Sequence, residues 1–259
     1  MTVNFSLILS FFGIFSIYFF ILYLISPKKT ISIKDLIISV IGGILSVSIL
    51  KFLHYIIPPN GIDGDFILHM YSVGPREEIS KFLLFWLVAW WVGRKRKIRP
   101  VEYMILSAAV GLGFALEENL HYFSIYGERV LGMRNVSSMP AHMFFGAISG
   151  YWFALGKINN GEFGERINLG QWFKKSRFAI YTTVGLFCAS LLHGIWNYTL
   201  SFYSKALNLI MKAQPDCSDI LTFTSPWLPL TLFTIFVMIH FVRLLYRDLL
   251  KLEVEQKNY

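Results

Sequence analysis

Residues 74–92 read GPREEISKFLLFWLVAWWV, so two adjacent carboxylates and an ammonium stand directly before a long apolar run. Pro75 suits the first turn of a helix because its missing N–H would have no partner there, and we predict that a helix begins near this residue. Lys81 follows Glu78 and Glu77 by three and four residues, which puts it on the same side of that helix. Ionisable groups in a membrane-spanning helix usually face a protein interior or a cavity, so this stretch indicates a functional site.

The composition is typical of a membrane protein. Of the 259 residues, 55% are hydrophobic and only 15% are charged, and the mean hydropathy is +0.53. A soluble domain of this length needs more charged residues on its surface. The net charge of +8 does not indicate binding to nucleic acid, because the basic residues stand in short segments between apolar runs rather than in one patch.

Seven apolar segments are long enough to cross a hydrocarbon layer of about 30 Å, which takes roughly 20 helical residues. We therefore predict an all-α bundle of about seven transmembrane helices, forming a single integral membrane domain over residues 1–259. The segments lie near residues 4–26, 33–57, 76–93, 101–123, 139–157, 178–203 and 225–246.

The connections between the segments predict the orientation of the chain. Most of the 24 Lys and Arg residues follow the first, third, fifth and seventh segments. Because basic connections tend to stay in the cytoplasm, we predict an N-terminus outside the cell and a C-terminus in the cytoplasm. The protein is then a multi-pass protein of the cell membrane.

Local signals mark where three of the helices begin and where one helix approaches a neighbour. Gly146 and Gly150 form a GxxxG pattern, which predicts close packing of the fifth helix. Prolines and N-cap residues predict the helix starts. These are Pro100 for the fourth segment, Ser138 and Pro140 for the fifth, and Ser225 and Pro226 for the seventh.

Polar residues interrupt four of the segments at one depth, near the predicted outer face. Two carboxylates open the third helix, and the fourth, which runs outward, carries its acidic group past the midplane. The residues are Glu77 and Glu78 on the third helix, Glu117, Glu118 and Asn119 on the fourth, His142 on the fifth, and His193 and Asn197 on the sixth. We expect their side chains to converge.

Each group alone has a structural explanation. Glu77 and Glu78 can favour the dipole at a helix start, and His142 can be an interfacial histidine. His193 and Asn197 can form hydrogen bonds between helices. Because four polar groups lie at one depth on four helices, we favour one shared functional site over four separate structural explanations.

The same residues carry a family resemblance over about residues 70–200. Four motifs in order, each on its own helix, resemble the set found in the PrsW family of intramembrane proteases, which is related to the CAAX protease and bacteriocin-processing superfamily. Asn197 stands where PrsW-like proteins often have Asp, and it resembles the Asn of the CAAX endopeptidases. The motifs are Glu77-Glu78-x-x-Lys81, the stretch from Phe114 to Tyr122 that contains Glu118 and Asn119, then His142, and finally His193-Gly194-Ile195-Trp196-Asn197.

The resemblance implies peptide hydrolysis, which needs an activated water, a stabilised oxyanion and a proton for the leaving amine. Glu77 or Glu78 is the candidate general base, because neighbouring carboxylates in a low dielectric resist double ionisation. Lys81 could keep the other carboxylate ionised. The remaining roles follow the family: water positioning for His142, the oxyanion for His193 and Asn197, histidine orientation or a share of the base role for Glu118, and support for Asn119 and Tyr122.

Whether a metal takes part is open at this point. Zinc could bind among Glu77, Glu118, His142 and His193, but the chain lacks the HExxH pattern of zinc proteases. We favour water activated by glutamate without a metal, with zinc as the alternative. The resemblance also implies a membrane-anchored protein substrate, such as an anti-sigma factor of a bacterial cytoplasmic membrane, cut near its extracytoplasmic side.

Two other functional classes remain. Buried Glu, His and Lys could form a proton- or ion-coupled transport path. Such a path needs polar groups across the whole bilayer, whereas the inner halves of these helices look nearly bare, and seven segments do not divide into equal repeats. The other hypothesis is a non-catalytic membrane scaffold. The presence of all four motif residues argues against it: Glu77, Glu78, His142 and His193.

Overall fold

The computed structural model describes residues 5–26, 31–58, 64–160, 176–213 and 227–257. These residues form seven long helices and no strand, which confirms the all-α prediction. The helices are α1 (Phe5–Ile25), α2 (Ile33–Ile56), α3 (Gly74–Lys95), α4 (Pro100–Tyr126), α5 (Glu128–Asn159), α6 (Ser176–Ala213) and α7 (Trp227–Lys257).

Helix α4 lies at the centre of the bundle. Its most apolar stretch is 94% buried, against 39% in α2 and 33% in α6, so the other helices surround α4 and present more of their surface outward. The outward residues include large apolar side chains such as Ile41, Phe187 and Phe236. An apolar exterior of this kind suits a protein surrounded by lipid.

Glycines bring the backbones of three helices into contact. A Cβ at Gly113 of α4 would lie 2.0 Å from the carbonyl oxygen of Val40 in α2. Gly146 and Gly150 of α5 also lie close to α4, where a Cβ would meet the carbonyl oxygens of Ser107 and Tyr103 at 2.5 and 2.6 Å. The predicted close approach at the GxxxG pattern is therefore confirmed, and its neighbour is α4.

Three helices of the described residues are long and apolar enough to cross a membrane by composition, within Ile33–Ile56, Pro100–Tyr126 and Arg177–Ser201. Helix α3 does not meet that standard because its first turns carry Arg76, Glu77, Glu78 and Lys81. The seven long helices match the seven predicted segments in order. The orientation with the N-terminus outside remains a prediction.

The predicted helix starts near Pro75 and at Pro100 are confirmed, because α3 begins at Gly74 and α4 at Pro100, whereas the predicted start of the fifth helix at Ser138 is wrong. An α-helical turn (Asp65–Ile67) and a π-helical segment (Leu68–Val73) lead directly into α3. Pro140 lies inside α5, which begins about ten residues before the predicted start at Ser138. Proline inside a helix removes one hydrogen bond and crowds the preceding turn, yet α5 continues through it, and Arg134 in this early part pairs with Glu118 of α4. The predicted start at Ser225 and Pro226 lies outside the described residues.

The predicted inner end of the bundle carries ion pairs between its charged residues. Arg96 forms ion pairs with Asp35 at 2.9 Å and with the fully buried Glu102 at 2.7 Å, and Arg99 pairs with Glu253 of α7 at 2.7 Å. These residues lie at or near the ends of their helices. They fasten α2, α4 and α7 to one another.

Candidate active site

Helices α3, α4, α5 and α6 bring five of the predicted site residues together. They are Glu77 and Glu78 from α3, Glu118 from α4, His142 from α5 and His193 from α6, and we call them the Glu–His cluster. All but Glu118 are buried, and the side chain of Glu118 is 19% exposed. The cluster lies at the opposite end of α4 from the Arg96 ion pairs.

Two glycine contacts set the positions of the histidines. Gly74 lies so close to α6 that a Cβ there would be 2.5 Å from the carbonyl oxygen of Ser190, one turn before His193. A Cβ at Gly111 of α4 would lie 2.2 Å from the carbonyl oxygen of His142. Small residues thus allow α3 to meet α6, and α4 to meet α5, at the level of the cluster.

Glu78 links a histidine to a lysine. Its Oε1 accepts a hydrogen bond from His193 Nδ1 at 2.7 Å and also contacts the ammonium of Lys81. An ionised carboxylate has only acceptors, so Nδ1 carries the proton and, in a neutral ring, Nε2 is left as an acceptor. Glu78 therefore fixes both the tautomer and the orientation of His193.

His142 is held at both ring nitrogens. Nε2 lies 2.9 Å from Glu118 Oε2, and Nδ1 lies 3.1 Å from the Lys81 ammonium. Because an ammonium can only donate, Nδ1 is the acceptor and Nε2 donates to Glu118. This assignment of protons follows from the hydrogen bonds and describes a neutral imidazole.

Glu77 has an oxygen with no hydrogen-bond partner among the described residues. Its buried Oε2 lies 3.4 Å from His193 Nε2, so two acceptors face each other. Such a pair is satisfied by a shared proton or by a cation. Ligand atoms of Glu77, His142 and His193 all lie within 4.8 Å of one another, and one carboxylate with two imidazoles is a zinc-binding set.

Aromatic rings enclose the cluster. The ring of Phe145 stacks on His193 with centroids 4.7 Å apart, and Phe114 lies 5.0 Å from the ring of His142. The Lys81 ammonium lies 4.8 Å from the centre of the Phe114 ring. Because this surrounding has a low dielectric, the electrostatic interactions inside it are stronger than in water.

Arg134 is a member of the site that the sequence did not predict. It forms an ion pair with Glu118 at 2.6 Å, and its Nε donates to Asn119 Oδ1 at 2.8 Å. Its guanidinium also lies 3.8 Å from the centre of the Tyr122 ring. Asn119 and Tyr122, the predicted supporting residues, therefore both contact Arg134, which in turn contacts Glu118.

The reason for missing Arg134 is the misplaced start of α5. With the start at Ser138, Arg134 belonged to a connection, whereas in the structure it lies about two turns before His142 on the same helix. The sequence signal that could have identified Arg134 is its spacing, because a basic residue two turns before His142 lies on the same side of a helix. The earlier start also puts His142 near the middle of α5 rather than near its beginning.

Two other candidates lie outside these contacts. Asn197 lies about one turn beyond His193 and is partly buried, but none of the described hydrogen bonds of the Glu–His cluster involves it. Its role at an oxyanion remains a prediction. Between the adjacent acids of α4, it is Glu118 rather than Glu117 that contacts His142 and Arg134.

Comparison with known proteins points to one family. The pattern of the "PrsW family intramembrane metalloprotease" matches residues 31–239. Protease PrsW of Shouchella clausii (strain KSM-K16) is 27% identical over 170 residues, which are 64% of this chain and 69% of that protein. Protease PrsW of Bacillus subtilis (strain 168) is 24% identical over 164 residues, 63% of this chain and 68% of that protein.

No solved structure matches this chain. The family assignment therefore rests on sequence, and the matched region includes α3 to α6 with every residue of the Glu–His cluster. Because that match covers most of its length, the chain belongs to the PrsW family of intramembrane metalloproteases.

Proposed function

We propose that this intramembrane protease cuts a membrane-anchored protein at its Glu–His cluster and that a divalent cation such as zinc takes part. The observation that carries the proposal is the buried Oε2 of Glu77, which faces the acceptor Nε2 of His193 at 3.4 Å without a hydrogen-bond partner among the described residues. A cation held by Glu77, His142 and His193 would satisfy both atoms.

This proposal replaces the metal-free mechanism that the sequence favoured. The family description as a metalloprotease and the set of ligand atoms both support it. His193 presents a free Nε2, whereas His142 would have to exchange its contact with either Glu118 or Lys81. When bound, such a cation makes a water easier to deprotonate and polarises a carbonyl group.

Two residues orient the site. Glu78 accepts a hydrogen bond from His193 Nδ1, as carboxylates commonly do next to metal-binding histidines. Lys81 balances the charge of Glu78. The side chain of Glu78 is only 1% exposed, so water and substrate reach it least easily. This leaves Glu78 and Lys81 as positioning residues.

We assign the general base to Glu118. Its side chain is 19% exposed, against 9% for Glu77 and 1% for Glu78, so water and substrate reach it most easily. Arg134 pairs with its carboxylate at 2.6 Å. Water attacks the scissile carbonyl carbon and passes a proton to Glu118, which then gives that proton to the leaving nitrogen as the C–N bond breaks. Asn197, one turn from His193, is the candidate for the oxyanion.

The substrate is proposed from the position of the site. With the N-terminus outside, the cluster lies toward the extracytoplasmic side of the bundle, which fits a single-pass protein cut near that boundary. A regulatory substrate such as an anti-sigma factor is supported by the family resemblance. Transport is not favoured, because the charges at the inner end are paired with each other and the part of α4 between the two ends, residues 103–116, is largely apolar.

The test compares the wild-type protein with Glu77→Gln and Glu117→Gln, expressed at matched levels in a bacterial host that contains native substrates. N-terminal mapping of membrane and released proteins should give new termini near the outer ends of transmembrane segments for the wild type and for Glu117→Gln, which lies outside the cluster. Glu77→Gln should give none. Identical maps for all three folded proteins would overturn the proposal.

A further inference from the structure

A cavity lies on the opposite side of α5 from the Glu–His cluster. It has a volume of about 680 Å³ and is bounded by α1, α4, α5 and α7. Pro140, Phe144 and Ala147 of α5 face it, and these positions share one side of a helix. His142 follows Pro140 by two residues, which turns it to the opposite side, so this cavity is separate from the proposed active site.

The walls of the cavity are almost entirely apolar. They include Leu22 of α1, Met104 and Ala108 of α4, and Met238 and Val242 of α7. Its volume lies in the range of about 300–1,000 Å³ that is usual for sites that bind small molecules. A chain of methylene groups matches this lining, whereas a polar ligand would leave its hydrogen bonds unmade.

One end of the cavity is basic. Arg243 and Arg247 line it one turn apart on α7, and both side chains are exposed. Among the described residues that line the cavity there is no Asp or Glu, and the nearby Asp248 accepts a hydrogen bond from Tyr151 at 2.7 Å. Two guanidinium groups at this spacing suit a phosphate, which they can bind through paired hydrogen bonds.

The basic end is also where α1 and α7 are joined. Tyr246, which lines the cavity between the two arginines, donates a hydrogen bond to the carbonyl oxygen of Ile25 at 3.0 Å. In the predicted orientation this end faces the cytoplasmic leaflet, which carries anionic lipids. The apolar walls thus match the acyl chain of a lipid, which lies inside the bilayer, and the basic end matches its headgroup, which lies at the surface.

We propose that this cavity binds one acyl chain of an anionic phospholipid, with the lipid phosphate held by Arg243 and Arg247. The lipid connects α1 and α7 to the central helices α4 and α5. Its binding is independent of proteolysis, because no residue of the Glu–His cluster lines the cavity.

The test uses the purified full-length protein in detergent, with phosphatidylglycerol as the probe. Native mass spectrometry should detect bound phosphatidylglycerol, and the lipid should raise the thermal unfolding temperature, whereas phosphatidylcholine should do neither at the same concentration. The double variant Arg243→Gln/Arg247→Gln should bind at least about tenfold more weakly, since the loss of even one hydrogen bond to a charged group weakens binding by about that factor. Lys251→Gln is the matched control, because Lys251 is exposed on α7 one turn beyond Arg247 and does not line the cavity.

Several results would overturn the proposal. Equal binding of the two lipids, or unchanged binding by the double arginine variant, would remove the role of the phosphate and the arginines. Inorganic phosphate that stabilises the protein as much as the lipid would show a simple anion site. Cross-linking of a substrate helix to Met238 would show that the cavity is a protein-docking groove. Since the arginine side chains are exposed, the double variant is expected to fold.

Discussion

His193 Nδ1 donates a hydrogen bond of 2.7 Å to Glu78 Oε1, although the two residues lie 115 positions apart in the chain. Lys81 contacts the same oxygen, and all three side chains are buried. Glu78 therefore does two things: it orients a histidine of the proposed active site, and it neutralises an ammonium inside the bundle. Substitutions can separate the two.

The variant Glu78→Ala should lose both stability and activity. It leaves the Lys81 ammonium buried without its carboxylate, and breaking a buried pair in this way typically costs about 3–5 kcal/mol. Adding Lys81→Met should restore most of the stability, since the uncompensated charge is gone. Activity should stay low because His193 still lacks its acceptor. Denaturant unfolding in detergent and the cleavage rate of a membrane-anchored reporter measure the two effects, and recovery of both in the double variant would contradict the orienting role of Glu78.

The variant Glu77→Gln should lower metal content and activity together. It replaces a carboxylate among the proposed ligands by an amide, so zinc measured by elemental analysis after purification should fall well below that of the wild type. Cleavage should fall by at least about 100-fold, the upper end of the effects seen when only the outer partners of metal ligands are changed. Glu117→Gln, on α4 but outside the cluster, should keep both.

Chelation gives the matching test on the wild-type protein. Prolonged treatment with a chelator should abolish cleavage, and added zinc should restore it in the wild type but not in Glu77→Gln. Full activity of a protein that contains no metal would instead support the mechanism in which glutamate alone activates water.

The sequence predicted the elements of the cluster because charged residues in apolar segments are conspicuous. Once the segments were placed, their positions along the helices put Glu77, Glu118 and His193 at one level. What the sequence could not give was the choice of partner. Glu77 and Glu78 differ by about 100° around α3, and only the packing of α3 on α6 shows that Glu78 pairs with Lys81 and accepts the hydrogen bond from His193 Nδ1, while Glu77 faces His193 Nε2.

Two local features were also beyond the reach of sequence patterns. Proline is so often found in a first helical turn that the sequence predicts a helix start at Pro140, yet α5 begins at Glu128, and Arg134 in its early part pairs with Glu118 of α4. The π-helical segment Leu68–Val73 has no proline or glycine to mark it. In both places tertiary contacts decide the local structure.

The variant Gly111→Ala should reduce stability and activity by moving α5. A Cβ at this position would lie 2.2 Å from the carbonyl oxygen of His142, which is backbone and cannot move without its helix. The displaced His142 would lose its present distances to Glu118 and Lys81. Gly13→Ala in α1 is the control, because a Cβ there has nothing within 4 Å. Thermal unfolding and reporter cleavage should change in the first variant and not in the second.

Arg134 is expected to act as a positioning residue for Glu118. It holds the carboxylate at 2.6 Å and is itself held by Asn119 and by the ring of Tyr122. Arg134→Gln keeps the length and polarity but removes the charge, so the turnover rate kcat should fall by about 10- to 100-fold, as for other groups that orient catalytic residues. Because Arg134 does not touch the substrate in this scheme, KM should change little.

Arg134→Lys then separates positioning from charge alone. Lysine restores a positive charge near Glu118, but it lacks the planar group that bonds Asn119 while pairing with the carboxylate. We expect Arg134→Lys to recover part of the kcat lost in Arg134→Gln but not to reach the wild-type value. Measurement of kcat and KM on a reporter substrate, with unfolding temperatures to confirm folding, checks both variants. A rise in KM at constant kcat would mean that Arg134 binds the substrate instead of holding the general base.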